Sequence, residues 1–285
     1  MLSEADKALR RTGIGSSDVS AIVGVNPYRT KHTVYLDKRG LFDDDPPTLG
    51  MRIGHIAEDL IATLYAEETG ATLVASPSIR HPKHDWIVGT PDRLVVGMRR
   101  IIEIKWVGWR VASAWERNED AVPDYVRTQA EWLMDLTDAD ECDVPTIIGG
   151  DEFRIYRLKR NPDLFDVLRE RAERFWFDHV IAGVPPPADE SEDARRMLTT
   201  IFRRDDGNMI AAPDAAYEWV NRKVAADAAI DAATAERDLA CNKLREMIGD
   251  ASGILGLGFK ATWKADKRGQ RSLRVKVFEE KRKAA

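Results

Sequence analysis

The chain has 285 residues, of which 44% are hydrophobic, 32% charged and 8% aromatic, with a formal net charge of −5. That length supports one large core, or a core with a smaller appended domain, and the composition is that of a globular protein. The acidic balance excludes a uniformly basic surface but leaves room for a local basic groove. The opening residues MLSEADKALRR lack the apolar stretch of a signal peptide, and no apolar run nears the ~20 residues of a membrane span. A cytoplasmic protein with no membrane partner is therefore expected. Cys142 and Cys241 stand far apart outside any CxxC pattern, which fits a reducing compartment better than a disulfide framework.

In chain order, residues 12–40 read as a glycine-rich turn followed by helical segments, with Ser16, Ser17 and Asp18 as N-cap candidates. Residues 50–70 form a stronger helical pattern, with Ile56, Leu60, Ile61 and Leu64 on one face and Gly70 as the stop. Residues 71–105 switch to strand character in four short runs. A helix is expected over VPDYVRTQAEWLMDLTDAD, then two strands joined at Gly149-Gly150-Asp151, then a helix over 161–182 closed by Gly183. The run Pro185-Pro186-Pro187 and the acidic residues after it suggest a boundary. The expected organisation is a core over 1–184, a linker over 185–212 and an appendage over 213–285. That appendage comprises one or two alanine-rich helices and a basic β-hairpin turning near Lys267-Arg268-Gly269. The fold class is α/β (α+β): a central mixed sheet flanked by helices.

The chemistry concentrates in GTPDRLVVGMRRIIEIK, residues 89–105. Alternate residues of a strand share a face, so Glu103 and Lys105 project together while Ile102 and Ile104 pack the other way. A hairpin of this length brings Asp92 beside Glu103. Two converging, half-buried carboxylates raise each other's pKa unless a cation separates them. Hard oxygen ligands with room for water suit Mg²⁺, with Mn²⁺ as a substitute. A neighbouring lysine holds a water or neutralises charge developing on a phosphate. Such parts perform metal-assisted phosphodiester hydrolysis. An amphipathic hairpin with a charged wet face is the plainer reading.

TPD followed by EIK resembles the PD-(D/E)xK nuclease signature. Four ordered blocks, RTGIGSSDVSAIVGVNPYRT, GHIAED, GTPDRL…IIEIK and PDYVRTQ, resemble the YqaJ-like viral recombinases, relatives of the phage lambda-type exonuclease, over about residues 10–180. The resemblance implies a PD-(D/E)xK restriction-endonuclease-like core. It implies Asp92 and Glu103 as metal ligands with the Ile104 carbonyl as a third contact, Lys105 as the catalytic lysine, and Glu58 as support for the metal or its waters. Gln129 matches a glutamine that steadies the attacking water or the lysine, and Arg11 and Ser17 match residues that grip a DNA 5′-phosphate. Arg10, beside Arg11, competes for that place. Two departures stand out: Glu131 occupies the place of a second glutamine, and Tyr125 sits one position early. The implied activity is a Mg²⁺-dependent 5′-to-3′ exonuclease acting on double-stranded DNA ends in a bacterial host cytoplasm. Its 3′ tails would feed a single-strand annealing protein, and the resemblance implies a homo-oligomer, a trimeric ring. An endonuclease remains open. So does a RecB-type nuclease, although its iron–sulfur cluster needs four cysteines where this chain has 2, and so does a non-catalytic DNA-binding protein of the same fold.

Other features carry weaker signals. His81 and His84 lack further ligands nearby and read as a solvated loop rather than a zinc site. Of Trp106, Trp109 and Trp115, two are expected to pack and one to stand at a rim. In the tail, Lys260, Lys264, Lys267, Arg268, Arg271, Arg274 and Lys276 outnumber Asp266, Glu279 and Glu280. Either a DNA-following strip or an edge strand kept soluble by lysine gives that pattern.

Overall fold

A computed structural model describes residues 4–41, 46, 48–115 and 121–278, with the backbone alone for 4–7. Two compact units divide the chain, Met1–Asp205 and Asp206–Ala285. The first begins with helices α1 (Glu4–Arg11), α2 (Ser16–Ile22), α3 (Lys31–Lys38) and α4 (Leu49–Thr69). Strands β1 (Leu73–Ala75), β2 (Ile79–Arg80), β3 (Val88–Gly89), β4 (Arg93–Val95), β5 (Arg100–Ile102) and β6 (Lys105–Val107) follow. Helix α5 (Asp124–Thr137), strands β7 (Glu141–Ile148) and β8 (Glu152–Lys159), and helices α6 (Pro162–Arg174) and α7 (Glu192–Ile201) complete it. A π-helical segment, Phe175–Ile181, continues α6, so the expected helix over 161–182 changes winding near its end.

The principal sheet is mixed. Antiparallel pairs β1–β4, β4–β5 and β7–β8 flank a parallel contact of β5 and β6 with β7. Both β5 and β6 lie along one edge of β7 at the same offset, Arg100 beside Glu141 and Lys105 beside Thr146. They are two halves of one strand, interrupted at Glu103–Ile104. Continuing that offset puts Ile104 beside Pro145, which has no N–H to give the ladder.

Side-chain alternation gives the sheet two covered faces. Ile102 and Ile104 pack with Ile61 and Tyr65 of α4. Ile101, Cys142 and Val144 pack on the other side with Val126, Ala130 and Leu133 of α5. On α4 the buried stripe is Ile61, Ala62 and Tyr65, whereas Ile56 and Leu60 are 76% and 56% exposed. The face expected from the larger aliphatics is thus rotated by about one residue, because the Tyr65 hydroxyl donates to the buried carboxylate of Asp143 at 2.7 Å. Gly70 ends α4 in the left-handed region at φ 70°, as expected.

Three further expectations need correction. Gly15, not a serine, occupies the N-cap of α2, and its N–H donates to Asp18 Oδ2 at 2.9 Å. The stretch 185–212 is not a linker throughout. Residues to Asp205 belong to the first unit, where α7 is capped by Ser191, buries Ala194 and Met197, and receives a hydrogen bond from Thr30 to Asp193. His81 is half-buried rather than fully solvated: its Nδ1 accepts from the Lys83 and His84 N–H groups, and Nε2 lies 3.2 Å from Asp135. Burial lowers its pKa against the pull of Asp135, consistent with a neutral ring that organises this turn.

The second unit holds one helix, α8 (Asp214–Ile248), and an antiparallel sheet ordered β11 (Arg271–Val277), β10 (Phe259–Ala265), β9 (Gly253–Gly256). The expected hairpin is β10–β11, turning through Gly269 at φ 82° and joined by a third strand. Helix α8 is largely exposed until its end, where Ile248 is buried. No described helix is long and apolar enough to cross a membrane.

The α4 register can be tested by denaturation. Ile61→Ala is expected to cost about 2–5 kcal/mol, as cavity-forming core truncations do. Ile56→Ala is expected to stay within about 0.5 kcal/mol. Equal losses at the two positions would contradict the assigned face.

Candidate active site

The antiparallel register of β4 with β5 pairs Arg93 with Ile102 and Leu94 with Ile101. One step further along this register, Asp92 lies opposite Glu103. Directly opposed residues share a face with Cβ atoms roughly 4.5–5.5 Å apart. Because the Glu103 N–H points to β7, the next one, the Ile104 N–H, points to the opposite edge, toward β4, and donates to Asp92 Oδ2 at 2.6 Å. The Glu103 N–H still reaches the Asp143 carbonyl at 3.0 Å, which anchors the break.

Lys105, two residues on, returns to the face of Glu103. Its Nζ donates to Glu103 Oε1 at 2.7 Å and to Gln129 Oε1 at 3.0 Å. The Lys105 side chain is 21% exposed and that of Glu103 10%. Gln129 is buried on α5, so this helix supplies both core side chains and the amide that orients the lysine. Tyr125, one turn earlier on α5, is close enough for its hydroxyl to influence the Lys105 charge. It packs edge-on against Tyr28, with ring centroids 5.9 Å apart. Tyr28 is 69% exposed and was not apparent in the sequence, where nothing links the Asn-Pro-Tyr-Arg turn to α5.

The electrostatics follow from this crowding. Burial, then the Glu103 carboxylate, push the Asp92 carboxyl up to about 8, against Lys105 and the Ile104 N–H. Glu58 adds a smaller push of the same sign. Burial alone would lower the Lys105 pKa, but Glu103 and Asp92 hold its ammonium above the ordinary lysine value. One oxygen of each carboxylate is engaged, Asp92 Oδ2 by the Ile104 N–H and Glu103 Oε1 by Lys105. Among the described residues nothing donates to the second oxygen of either. Among them, too, no group of three or more His, Cys, Asp and Glu side chains forms a ready metal cluster. A cation here would meet the two unengaged carboxylate oxygens and water. That hard, incomplete donor set fits Mg²⁺ or Mn²⁺ and does not fit zinc.

The other expected site residues are less tightly gathered. Glu58 is on α4, whose packing stripe covers the opposite face of the sheet, and it pairs with His55 Nδ1 at 3.2 Å. Asp59 beside it forms an ion pair with Arg93, the residue after Asp92. Arg10 and Arg11 are both exposed at the end of α1, and the Arg10 carbonyl accepts from Lys38 Nζ at 2.6 Å. Ser17 is half-buried in α2, which packs along α5. Neither Arg11 nor Ser17 bonds to Asp92, Glu103 or Lys105. Lys38 and Arg29 converge instead on the buried Asp18, at 2.6 and 2.9 Å, and this ion cluster fixes α2 to α3. Glu131 is a fastening residue: both its oxygens accept from the Asn161 N–H at 2.9 and 3.0 Å. Trp115 is buried, Trp106 packs beside Ile104, and Trp109 is 71% exposed.

Burial of Asp92 beside Glu103 predicts how metal-free stability depends on pH. A carboxyl raised from about 4 to about 8 by folding favours the folded state at low pH, and that contribution is lost as pH rises through this window. In EDTA, the denaturation midpoint is expected to fall between pH 5 and 8, and Asp92→Asn to shrink that fall. Glu131, raised to about 7 mainly by burial, leaves a residual slope. Identical slopes in wild type and Asp92→Asn would contradict the raised Asp92 pKa.

Residues 7–140 match the family model described as the YqaJ-like viral recombinase domain. The Bacillus subtilis (strain 168) protein YqaJ is 26% identical over 261 residues, covering 90% of this chain and 81% of that protein. The alkaline exonuclease LHK-Exo from Laribacter hongkongensis superposes with a TM-score of 0.53 at 18% identity, covering 70% of this chain and 100% of that one. LHK-Exo in complex with dAMP gives the same TM-score at 19% identity, with 64% and 94% covered. At such identities the structural likeness is one of fold. Over residues 7–140 the chain is thus similar to the YqaJ-like viral recombinase domain, and its mixed sheet with flanking helices shares the fold of LHK-Exo.

Proposed function

We propose that this chain is a Mg²⁺-dependent exonuclease that degrades linear double-stranded DNA from 5′ ends and leaves 3′ single strands for an annealing partner. The observation that carries this reading is the apposition of Asp92 and Glu103 with Lys105 bonded to Glu103. A phosphodiester is cleaved when water attacks phosphorus and charge accumulates on the non-bridging and leaving oxygens. Bound to Asp92, Glu103 and the Ile104 carbonyl, a divalent cation would supply Lewis acidity toward those oxygens and toward water.

The chain's own residues do the rest. Lys105 presents its ammonium protons to the attacking water or to a phosphate oxygen, and it stays protonated because two carboxylates surround it. Gln129 fixes its direction from α5. Glu58 contributes negative charge at the edge of the site and reaches waters there once His55 releases it. Arg11 and Ser17 take the 5′-phosphate of the terminal nucleotide. The similar structures support the substrate class: LHK-Exo is an alkaline exonuclease and was crystallised with dAMP, a mononucleotide such as stepwise digestion releases. Assembly as a closed ring, with a trimer as the simplest form, would keep the enzyme on its product.

With Mg²⁺, the purified chain is expected to digest linear duplex DNA and spare closed circles. Lys105→Ala is expected to lower the rate by about 10²–10³-fold while still binding DNA, the range of a preorganised electrostatic group. Persistent cutting by clean Lys105→Ala protein would rule out this mechanism. For polarity, 5′-end-labelled substrate should lose label as mononucleotide before 3′-end-labelled substrate does. The reverse order would overturn the assigned direction while leaving the site intact.

A further inference from the structure

The β10 register sorts the side chains of the C-terminal sheet onto two faces. Lys260 lies opposite Lys276, Thr262 opposite Arg274, and Lys264 opposite Ser272. Opposed residues share a face, so Lys260, Lys264, Arg274 and Lys276 stand together, all exposed. On the reverse face Ala261 is fully buried near the end of α8, and Arg271 stacks over Trp263 at 3.8 Å. Arg271 also donates to the Gly249 carbonyl at 2.8 Å, closing the C-terminus of α8. Arg271 therefore leaves the strip in which the sequence placed it, and the remaining cations are cleanly segregated.

Three observations separate a binding face from a solubilising one. Edge strands are guarded by lysine, but Lys260 and Lys264 are on β10, the central strand. Lys260 and Lys276 oppose one another directly, a like-charge pair that costs folding stability. None of the four cations has a carboxylate partner among the described residues, and Asp266 in the adjoining turn is occupied by the Arg268 and Gln270 N–H groups. Glu279 and Glu280 lie outside the described residues. Within the strands no aromatic side chain shares this face, and Phe278 just beyond β11 lies beneath the Lys276 ammonium at 5.6 Å. The surface thus offers charge and hydroxyls over roughly 13 Å of strand, bordered by the exposed Leu255 opposite Lys260 and by a single aromatic ring, Phe278, rather than the row of stacking platforms that single-strand binders use.

We propose that this face of β10 and β11 is a second DNA contact, taking the phosphate backbone of duplex DNA without sequence preference. It deepens the DNA-processing reading by adding a hold on substrate that involves neither Asp92 nor Lys105. The full-length chain in EDTA, where nothing is cut, is titrated with a labelled blunt duplex at several salt concentrations. It is compared with the variant K260Q/K264Q/R274Q/K276Q. The expected result is at least tenfold weaker binding at 0.1 M salt and a log K against log salt slope shallower by about 3–4, since each phosphate contact contributes about 0.9. The variant should melt at or above the wild-type temperature, because repulsion is removed, and K260R/K264R/K276R should bind as wild type does.

Unchanged affinity and slope in the glutamine variant would overturn the proposal, as would loss of binding in the arginine variant. Tighter, charge-dependent binding to single-stranded DNA or to phosphatidylserine vesicles would reassign the face and overturn it equally. Because the assay needs no cleavage, an inactive protein can still pass it, and an active one can still fail.

Discussion

Two carboxylates held face to face by a β-register, with one ammonium between them and the helix behind, are the constraint on which the rest of this structure depends. Asp92 and Glu103 cannot separate without shifting β4 against β5 by a residue, which would turn Ile101 and Ile102 to the wrong faces. The two packed faces of the sheet therefore keep the acids together. Burial, and after it the Glu103 carboxylate, push the Asp92 carboxyl up. Such strain is retained where a cation or a proton relieves it, as metal-dependent sites require.

The surrounding fold can be read as support for that arrangement. Pro145 deprives the parallel ladder of a donor beside Ile104, while the Ile104 N–H, on the opposite edge of its strand, donates to Asp92. Asp143 lies at the same level of β7. Its backbone carbonyl holds Glu103, and its buried carboxylate receives the Tyr65 hydroxyl and lies 3.4 Å from Arg100. Helix α4 is thereby tied to the strand that bears the acids. Helix α5 closes the other side, placing Gln129 on Lys105 and tying itself to the start of α6 through Glu131. The same side chains serve packing and site, so mutations in either helix should disturb chemistry through position before they unfold the chain.

Much of this was legible in the sequence, for reasons that can be named. Strand alternation alone separates Ile102 and Ile104 from Glu103 and Lys105, and Gly97 at φ 77° marks the turn that brings Asp92 back. What alternation could not show is the break at Glu103–Ile104, because that depends on Pro145, about 40 residues away. Helix α4 was placed correctly but rotated, since apolar volume favoured Ile56 and Leu60 whereas the buried hydrogen bond of Tyr65 decided the face. Helix α7 was hidden behind prolines: its short apolar stripe, Ala194 and Met197, looks weak until α3 is there to cover it. Side-chain destinations were least legible where one residue had two competing uses. Arg271 caps a helix rather than joining a charged strip, and the half-buried His81 organises a turn.

The central claim is that a divalent cation replaces a proton between Asp92 and Glu103. Calorimetric titration of the metal-free chain with Mg²⁺ at pH 7, repeated in buffers of different ionisation enthalpy, measures this most directly. The account predicts saturable binding accompanied by release of protons, on the order of one per ion, with both lost in Asp92→Asn. Binding that releases no protons, or that survives in Asp92→Asn unchanged, would contradict it.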